Sequence, residues 1–368
     1  MIALRPIVAD RERYRGPSMD GRPLDTLPKA HLHLHFTGSL RPTTLLELAA
    51  ETGTRLPDAL ATALGSGRPR QFAATDARGW FRFQRLYDAA RSVVRTEAAV
   101  RRLVVEAAED DRREGSGWLE IQVEPTSYAP WLGGLTPALE LILDSARDAA
   151  DRTGVGVGVV VAASRVRHPL DARTLARLAA RYAGAGVVGF GLSNDERRGQ
   201  TEAFAPAFRI AREAGLAAVP HGGELRGAAA VADCLDLLGA ARIGHGVRSV
   251  EDPALVARLA QRQVPLELCP TSNLALGVVT RPEDVPLRTL MTAGVPIALG
   301  ADDPLLFGPR LVAQYEEART VHGCTDAELA RLAEQSVLAS TAPVAVKHHL
   351  LAAITTWLAT PAPAATPG

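Results

Sequence analysis

The chain has 368 residues, 47% of them hydrophobic and 22% charged, which is the balance of a globular protein with a substantial core in one large domain or two ordinary ones. Its formal net charge is zero, so no global field recruits nucleic acid or an anionic membrane surface. No apolar run is long enough to span a bilayer, Met1 to Arg5 does not open a secretory signal, and the scattered Cys234, Cys269 and Cys324 read as reduced thiols; a cytoplasmic protein is expected.

Residues 1–26 are polar and charged, with Gly16-Pro17 and Gly21-Arg22-Pro23, and predict an N-terminal arm. Residues 27–358 predict one domain, and 359–368, rich in Ala, Pro and Thr, a disordered tail. The first expected strand, 31–36, alternates imidazole with apolar side chains, the period of a strand with unlike faces. His31, His33 and His35 fall on one face, and Leu32, Leu34 and Phe36 on the other. A buried histidine face is costly unless something satisfies the ring nitrogens, which a divalent metal does. The segment 42–117 reads as helical, an insertion over the mouth of the fold.

Further strands are expected at 118–124, 155–163, 187–192, 216–221, 242–245, 265–270 and 296–301, with helical periodicity at 170–182, 203–214 and 253–262. Near-continuously apolar strands alternating with helices argue for a parallel sheet covered by helices. Eight of them predict an α/β fold closed into a (β/α)8 barrel of the TIM type, with the helical insertion after the first strand. Barrel enzymes carry their chemistry at the C-terminal ends of the strands. The polar residues fall there: His33 and His35, then His221 with Glu224, then His245 between glycines, then Asp302-Asp303.

His33, His35, His221 and Asp302 offer three nitrogens and one oxygen, a set suited to one Zn2+ per chain or another transition metal, with a position left for water. A water on such a metal loses a proton near neutral pH. Glu224 lies three residues beyond His221 and can shuttle a proton; His245 is a second acid–base or orienting group, and Asp303 a carboxyl aimed at the substrate. These parts suit hydrolytic attack on an electron-poor centre. The chain lacks the H-x-E and P-C-x-x-C set of the zinc deaminases that act on cytosine or tRNA adenine. Its two lysines, Lys29 and Lys347, lie outside the middle strands, which excludes a lysine-bridged metal pair.

Five strings in order, from about Leu27 to the 330s, resemble the adenosine deaminase family. They are Pro28-Lys29 with His33-Leu34-His35, His221-Gly222-Gly223-Glu224, Arg242 to Arg248, Cys269-Pro270-Thr271-Ser272-Asn273, and Asp302-Asp303 through Gly308. The resemblance implies that His33, His35, His221 and Asp302 bind the metal and that Glu224 protonates purine N1. His245 would orient and deprotonate the attacking water, and Asp303 would hydrogen-bond N7. Metal-bound hydroxide would add to C6 and ammonia would leave, giving a 6-oxopurine.

The substrate side departs from the family. Adenosine deaminases read His-x-His-Leu-Asp-Gly, and their aspartate meets the ribose 5′-hydroxyl; this chain has Phe36-Thr37-Gly38. Thr37 forgoes a charge-assisted hydrogen bond of about 1.5–3 kcal/mol and leaves room for a 5′ substituent. Asn194 stands where the family has a glycine whose amide meets N3. Within the family the chain resembles the actinobacterial branch that converts 6-aminodeoxyfutalosine, which carries a carboxyphenyl ketone beyond C5′, to futalosine in menaquinone synthesis. The alternative is conversion of adenosine to inosine in purine salvage. Either implies a small purine nucleoside as partner, with no nucleic acid and no membrane, and leaves the oligomeric state open.

Arg82, Arg85, Arg165 and Arg167 are candidates for an anionic tail, and Trp80, Phe81 and Phe83 for an apolar lid or for helix packing; Phe83 is taken as substrate-binding with Thr37 and Asn194. His31 is expected as a hydrogen-bonded core residue on the ligand face, and His168, His322, His348 and His349 at the surface. Cys269 is expected to pack in its strand, and Asp195 and Glu196 to position substrate or cap a helix. A sensor barrel without catalysis would be expected to lose the proton shuttle, yet Glu224 and His245 are both present. A general amide hydrolase would not explain Glu224 together with Asp303.

Overall fold

The computed structural model describes residues 21–60 and 71–361. Most of the arm expected over 1–26 and most of the tail expected over 359–368 therefore lie outside the described residues. Eight strands pair in parallel in chain order: β1 (Lys29–His35), β2 (Ser116–Val123), β3 (Gly156–Ser164), β4 (Val187–Ser193), β5 (Ala217–Gly222), β6 (Ile243–His245), β7 (Leu266–Leu268) and β8 (Ile297–Leu299). Each agrees with its expected position to within two residues. The ring closes between β8 and β1, where the His35 amide donates to the Asp302 carbonyl and the Asp302 amide to the His33 carbonyl, both at 3.0 Å. The chain is a (β/α)8 barrel.

Helices Pro169–Arg181, Thr201–Glu213 and Pro253–Arg262 are crossovers that cover the sheet. Because helices cover the outside and side chains fill the inside, strands such as Gly156–Ser164 are buried along most of their length, which is why they read as apolar runs rather than as alternation. Helix Glu97–Arg113, capped by Thr96 accepting from the Ala99 amide, packs against β2 as an ordinary crossover. The insertion is accordingly shorter than 42–117: among the described residues, helices Pro42–Glu51 and Ala77–Arg91 precede that crossover. Ala77–Arg91 starts on Asp76, whose side chain accepts from Gly79, and buries Trp80, Phe83 and Leu86 at helical spacing. Phe81 points away, 67% exposed.

His31 is a buried, hydrogen-bonded residue, as expected, but it does not belong to the ligand group. Against β2 the register slips between His31 and Leu34, one extra residue on β1, and this breaks the alternation. His31 Nδ1 bonds Asp111 on the crossover helix at 2.9 Å and its Nε2 accepts from the Ala301 amide at 3.1 Å. Among the described residues no helix is long and apolar enough to cross a membrane, and all three cysteines are free and buried.

Candidate active site

The four polar strand ends meet at the C-terminal mouth. His33, His35, His221 and Asp302 bring one ligand-type atom each to within 4.8 Å of one another. His35 Nε2 stands 3.2 Å from His221 Nε2 and 3.1 Å from Asp302 Oδ1, and His33 Nε2 lies 3.5 Å from the same oxygen. Among the described residues the buried His33 Nε2 has no hydrogen-bond partner. Burial opposes charge on His33, but the neighbouring carboxylates of Asp302 and Glu267 prevail and draw its pKa up to about 10. Lone pairs converging on one point, in a place that calls for positive charge, fit a divalent cation. The local backbone is bent to make this possible. Asp302 and His245 hold φ of 62° and 61°, left-handed values that cost non-glycine residues of order 1 kcal/mol or more and gather at functional sites. Gly244 has no side chain because a Cβ there would come within 2.9 Å of His33 Cε1.

A buried relay fixes the ligands from behind. His33 Nδ1 bonds Glu267 Oε2 at 2.8 Å, Arg242 Nε donates to Glu267 Oε1 at 2.7 Å, and Arg242 Nη2 donates to Glu120. Ser272 donates to Asp302 Oδ2 at 2.5 Å, and the Asn273 side-chain nitrogen lies 3.4 Å from His245 Nδ1. The Cys-Pro-Thr-Ser-Asn string thus serves to orient a ligand and an imidazole. Cys269 itself is buried, its thiol pushed well up by burial, and it bonds the Glu267 carbonyl at 3.7 Å.

Three further groups face the same space. Glu224 Oε1 lies 3.6 Å from His245 Nε2. Burial first, then the charges of Asp302 and Glu196, push the Glu224 carboxyl well above the ordinary carboxylate range and so favour its protonated form. Asp303 is raised in the same way by burial and Asp302, and its Oδ1 has no partner among the described residues. Gly38 makes room for it, since a Cβ there would sit 1.9 Å from that oxygen. Burial holds His245 down at about 3, so its imidazole is neutral.

Glu196 takes neither of its expected roles. Its carboxylate accepts from four successive amides, Gly223 at 2.6 Å, Glu224 at 3.0 Å, Leu225 at 2.6 Å and Arg226 at 2.9 Å, and so holds the loop that carries Glu224. Glu196→Gln replaces one acceptor oxygen with a donor facing amides. It is expected to lower kcat by about 10- to 100-fold through misplacement of Glu224, with metal content unchanged, as read by steady-state rates and metal analysis.

The site opens into a cleft. Its walls include Trp80, Phe83 and Tyr87 from the insertion helix, Gln122 and Glu124 from the end of β2, and Asn194 after β4. Phe83 and Asn194 therefore lie where expected, and Asn194 holds φ 75°, the backbone form that a glycine would take. Thr37 is buried, its hydroxyl 2.5 Å from Tyr128 Oη, and of the two it is Tyr128 that forms part of the cleft wall. Of the four candidate arginines, Arg165 is buried and donates to the His221 carbonyl at 2.8 Å, Arg167 pairs with Glu124 at 2.7 Å, and Arg82 bonds the Phe72 carbonyl at 3.2 Å; Arg85 is exposed on the insertion helix. The arginine in the cleft wall is Arg91, over the Tyr87 ring and 2.8 Å from Ser127 Oγ.

The family profile described as adenosine deaminase matches residues 28–357. The chain belongs to the adenosine deaminase family. A Streptomyces coelicolor relative, provisionally named an adenosine/adenine deaminase, is 67% identical over 92% of this chain and 98% of its own. An aminodeoxyfutalosine deaminase from Acidothermus cellulolyticus is 32% identical over 92% and 95%. The crystal structure of an adenine deaminase from Arthrobacter aurescens superposes with a TM-score of 0.81 at 29% identity, covering 90% of this chain and 99% of that one. Membership makes the chain a metal-dependent deaminase and gives the four converging ligand atoms their context.

Glu267, Glu120 and Arg91 are absent from the sequence expectations, and Arg242, Ser272 and Asn273 enter them only as parts of matching strings with no role assigned. Two carried a signal: Glu120 and Glu267 interrupt otherwise apolar strands, and a carboxylate in the middle of a buried strand needs a partner.

Proposed function

We propose that this chain hydrolyses the exocyclic amine of a 6-aminopurine nucleoside, releasing ammonia and the 6-oxopurine. The observation that carries the reading is the pair of raised carboxyls, Glu224 and Asp303, facing one cleft beside three histidines and a carboxylate. Two buried carboxyls biased toward their protonated forms suit two ring nitrogens of a purine. His33, His35, His221 and Asp302 would hold one Zn2+, whose Lewis acidity makes water an effective nucleophile near neutral pH. Glu224 donates its proton to N1, which draws electron density from C6 as water attacks. Asp303 donates to N7 and fixes the ring plane. His245, neutral at the outset, orients the water, takes its proton and passes it to the departing amine, while the proton left on the C6 hydroxyl returns to Glu224 as the 6-oxo group forms. The aromatic wall of Trp80, Phe83 and Tyr87 shields the ring from solvent. We place this activity in the cytoplasm, in keeping with the free, buried cysteines.

For the substrate we propose 6-aminodeoxyfutalosine, converted to futalosine on the way to menaquinone. The neutral Thr37–Tyr128 pair offers no carboxylate to a 5′-hydroxyl, and Arg91, over the Tyr87 ring, is a cation in the same cleft wall. The second reading, adenosine to inosine, is favoured by the 67% identical relative, which is far closer than the 32% identical aminodeoxyfutalosine deaminase. Initial rates on 6-aminodeoxyfutalosine, adenosine, 5′-deoxyadenosine and adenine, followed by the ultraviolet change from amino- to oxopurine, decide between them. The expected result is highest kcat/KM on 6-aminodeoxyfutalosine. Preference for adenosine over 5′-deoxyadenosine would install the salvage reading, and inactivity on all four with zinc bound would remove both.

A further inference from the structure

We propose that Gln122 binds the ribose of the substrate, its carboxamide bridging the vicinal 2′- and 3′-hydroxyls. The assignment rests on the purine nucleoside reading above and adds a residue and a required substrate feature to it. Gln122 lines the cleft and is only 2% exposed, and both its Nε2 and its Oε1 lack partners among the described residues. A buried amide with neither end paired is rare, because it has lost water and gained nothing. Here it is also rigidly placed. Gln122 stands opposite His35 in the β1–β2 register, and the Phe36 amide donates to its backbone carbonyl at 2.8 Å. The side chain is held unpaired beside a metal-ligating position by two strands.

Its place in the barrel says what would pair it. The ligand cluster, Glu224, His245 and Asp303 come from the ends of β1, β5, β6 and β8, whereas Gln122 and Glu124 come from β2, with Ala162 from β3 and Ser193 and Asn194 from the end of β4. A purine that turns C6, N1 and N7 toward the first group directs N9, on its far edge, toward the second. The small Ala162 side chain leaves space there for a sugar. A carboxamide presents one acceptor and two donors, and two adjacent hydroxyls present both in return. Glu124, two residues on and so on the same face, engages Thr126 and Arg167 through Oε1, while its Oε2 lies 3.8 Å from Arg91. That oxygen is free to accept from a hydroxyl as well. Free adenine would leave both ends of the Gln122 amide unpaired, so the site selects a ribonucleoside over the base.

The test compares adenosine with 2′,3′-dideoxyadenosine on the zinc-loaded wild type, Gln122→Leu and Gln122→Glu. Turnover is followed by ultraviolet absorbance, and binding is followed independently by tryptophan fluorescence with Trp80 in the cleft wall. Gln122→Leu is expected to lose about 10- to 100-fold in affinity for adenosine, carried by KM with kcat nearly unchanged, and about threefold or less for the dideoxy analogue. Gln122→Glu, which keeps acceptors and loses the donor, should fall between. Equal losses on both ligands, or a wild type that does not distinguish them, would overturn the ribose assignment while leaving the deaminase reading intact. A zinc-loaded wild type that neither turns over nor binds adenosine, its dideoxy analogue or 6-aminodeoxyfutalosine would overturn the deaminase reading, and the assignment with it.

Discussion

Replacing Glu224 with glutamine is expected to lower kcat by about 10²- to 10⁴-fold while bound metal and KM stay close to those of the parent. Glutamine keeps the shape of the side chain and can still offer a hydrogen bond to a ring nitrogen, but it has no proton to release. Glu224 is not one of the four converging ligand atoms, so metal analysis should not register its loss. The pH profile gives a second reading. Because burial, Asp302 and Glu196 raise the carboxyl, it is protonated below its shifted pKa and ionised above it. Activity of the parent should therefore fall as pH rises through that value, and this alkaline limb should be missing from the residual activity of the variant. A near-normal rate, or an unchanged alkaline limb, would assign the proton transfer to another group.

The barrel was legible because a parallel strand buried on both faces has to be apolar along its length, and eight such runs stood out between helical segments. The ligands were legible for a related reason. Histidine and aspartate at the ends of apolar strands have no solvent to face, so only a cation or a partner explains them. What stayed hidden depends on geometry that no local pattern encodes. The extra residue between His31 and Leu34 turns His31 toward Asp111, and neither period nor composition announces a register slip. Thr37 sits next to the ligand strand in sequence yet lies behind Tyr128, a residue 91 positions away. Glu196 was visible as an acid near a strand end, but its four amide partners come from a loop that only the fold brings to it. Arg91 was overlooked in favour of arginines closer to the motifs because its place depends on how the insertion helix crosses the mouth.

The other large effect is expected at Arg242, the centre of the buried relay. Its guanidinium joins Glu267 on β7 to Glu120 on β2, and its Nη1 donates to the Ala339 carbonyl at 2.9 Å. Arg242→Met fills a similar volume but strands two buried carboxylates, and breaking a buried pair from one side costs about 3–5 kcal/mol. Chemical denaturation should show this as a large fall in midpoint. The sign of its pH dependence follows from Glu267. Burial works to raise that carboxyl, but Arg242 and His33 together hold it below the ordinary range, so the stability it contributes is present at neutral pH and is lost as pH falls through its folded value. Without Arg242 burial wins and the carboxyl rises. The deficit of the variant should therefore be greatest near neutrality and shrink on acidification. Adding Glu267→Gln to Arg242→Met should recover part of the loss by removing one stranded charge. Metal retention separates the relay from stability alone. Glu267 fixes the His33 ring through Nδ1, and loss of such an orienting partner costs metal affinity about 10- to 100-fold, so both variants should release zinc to a chelator faster than the parent. A variant as stable as the parent at every pH, with unchanged zinc release, would mean that His33 is oriented by its strand and neighbours and that the relay carries no weight at the metal.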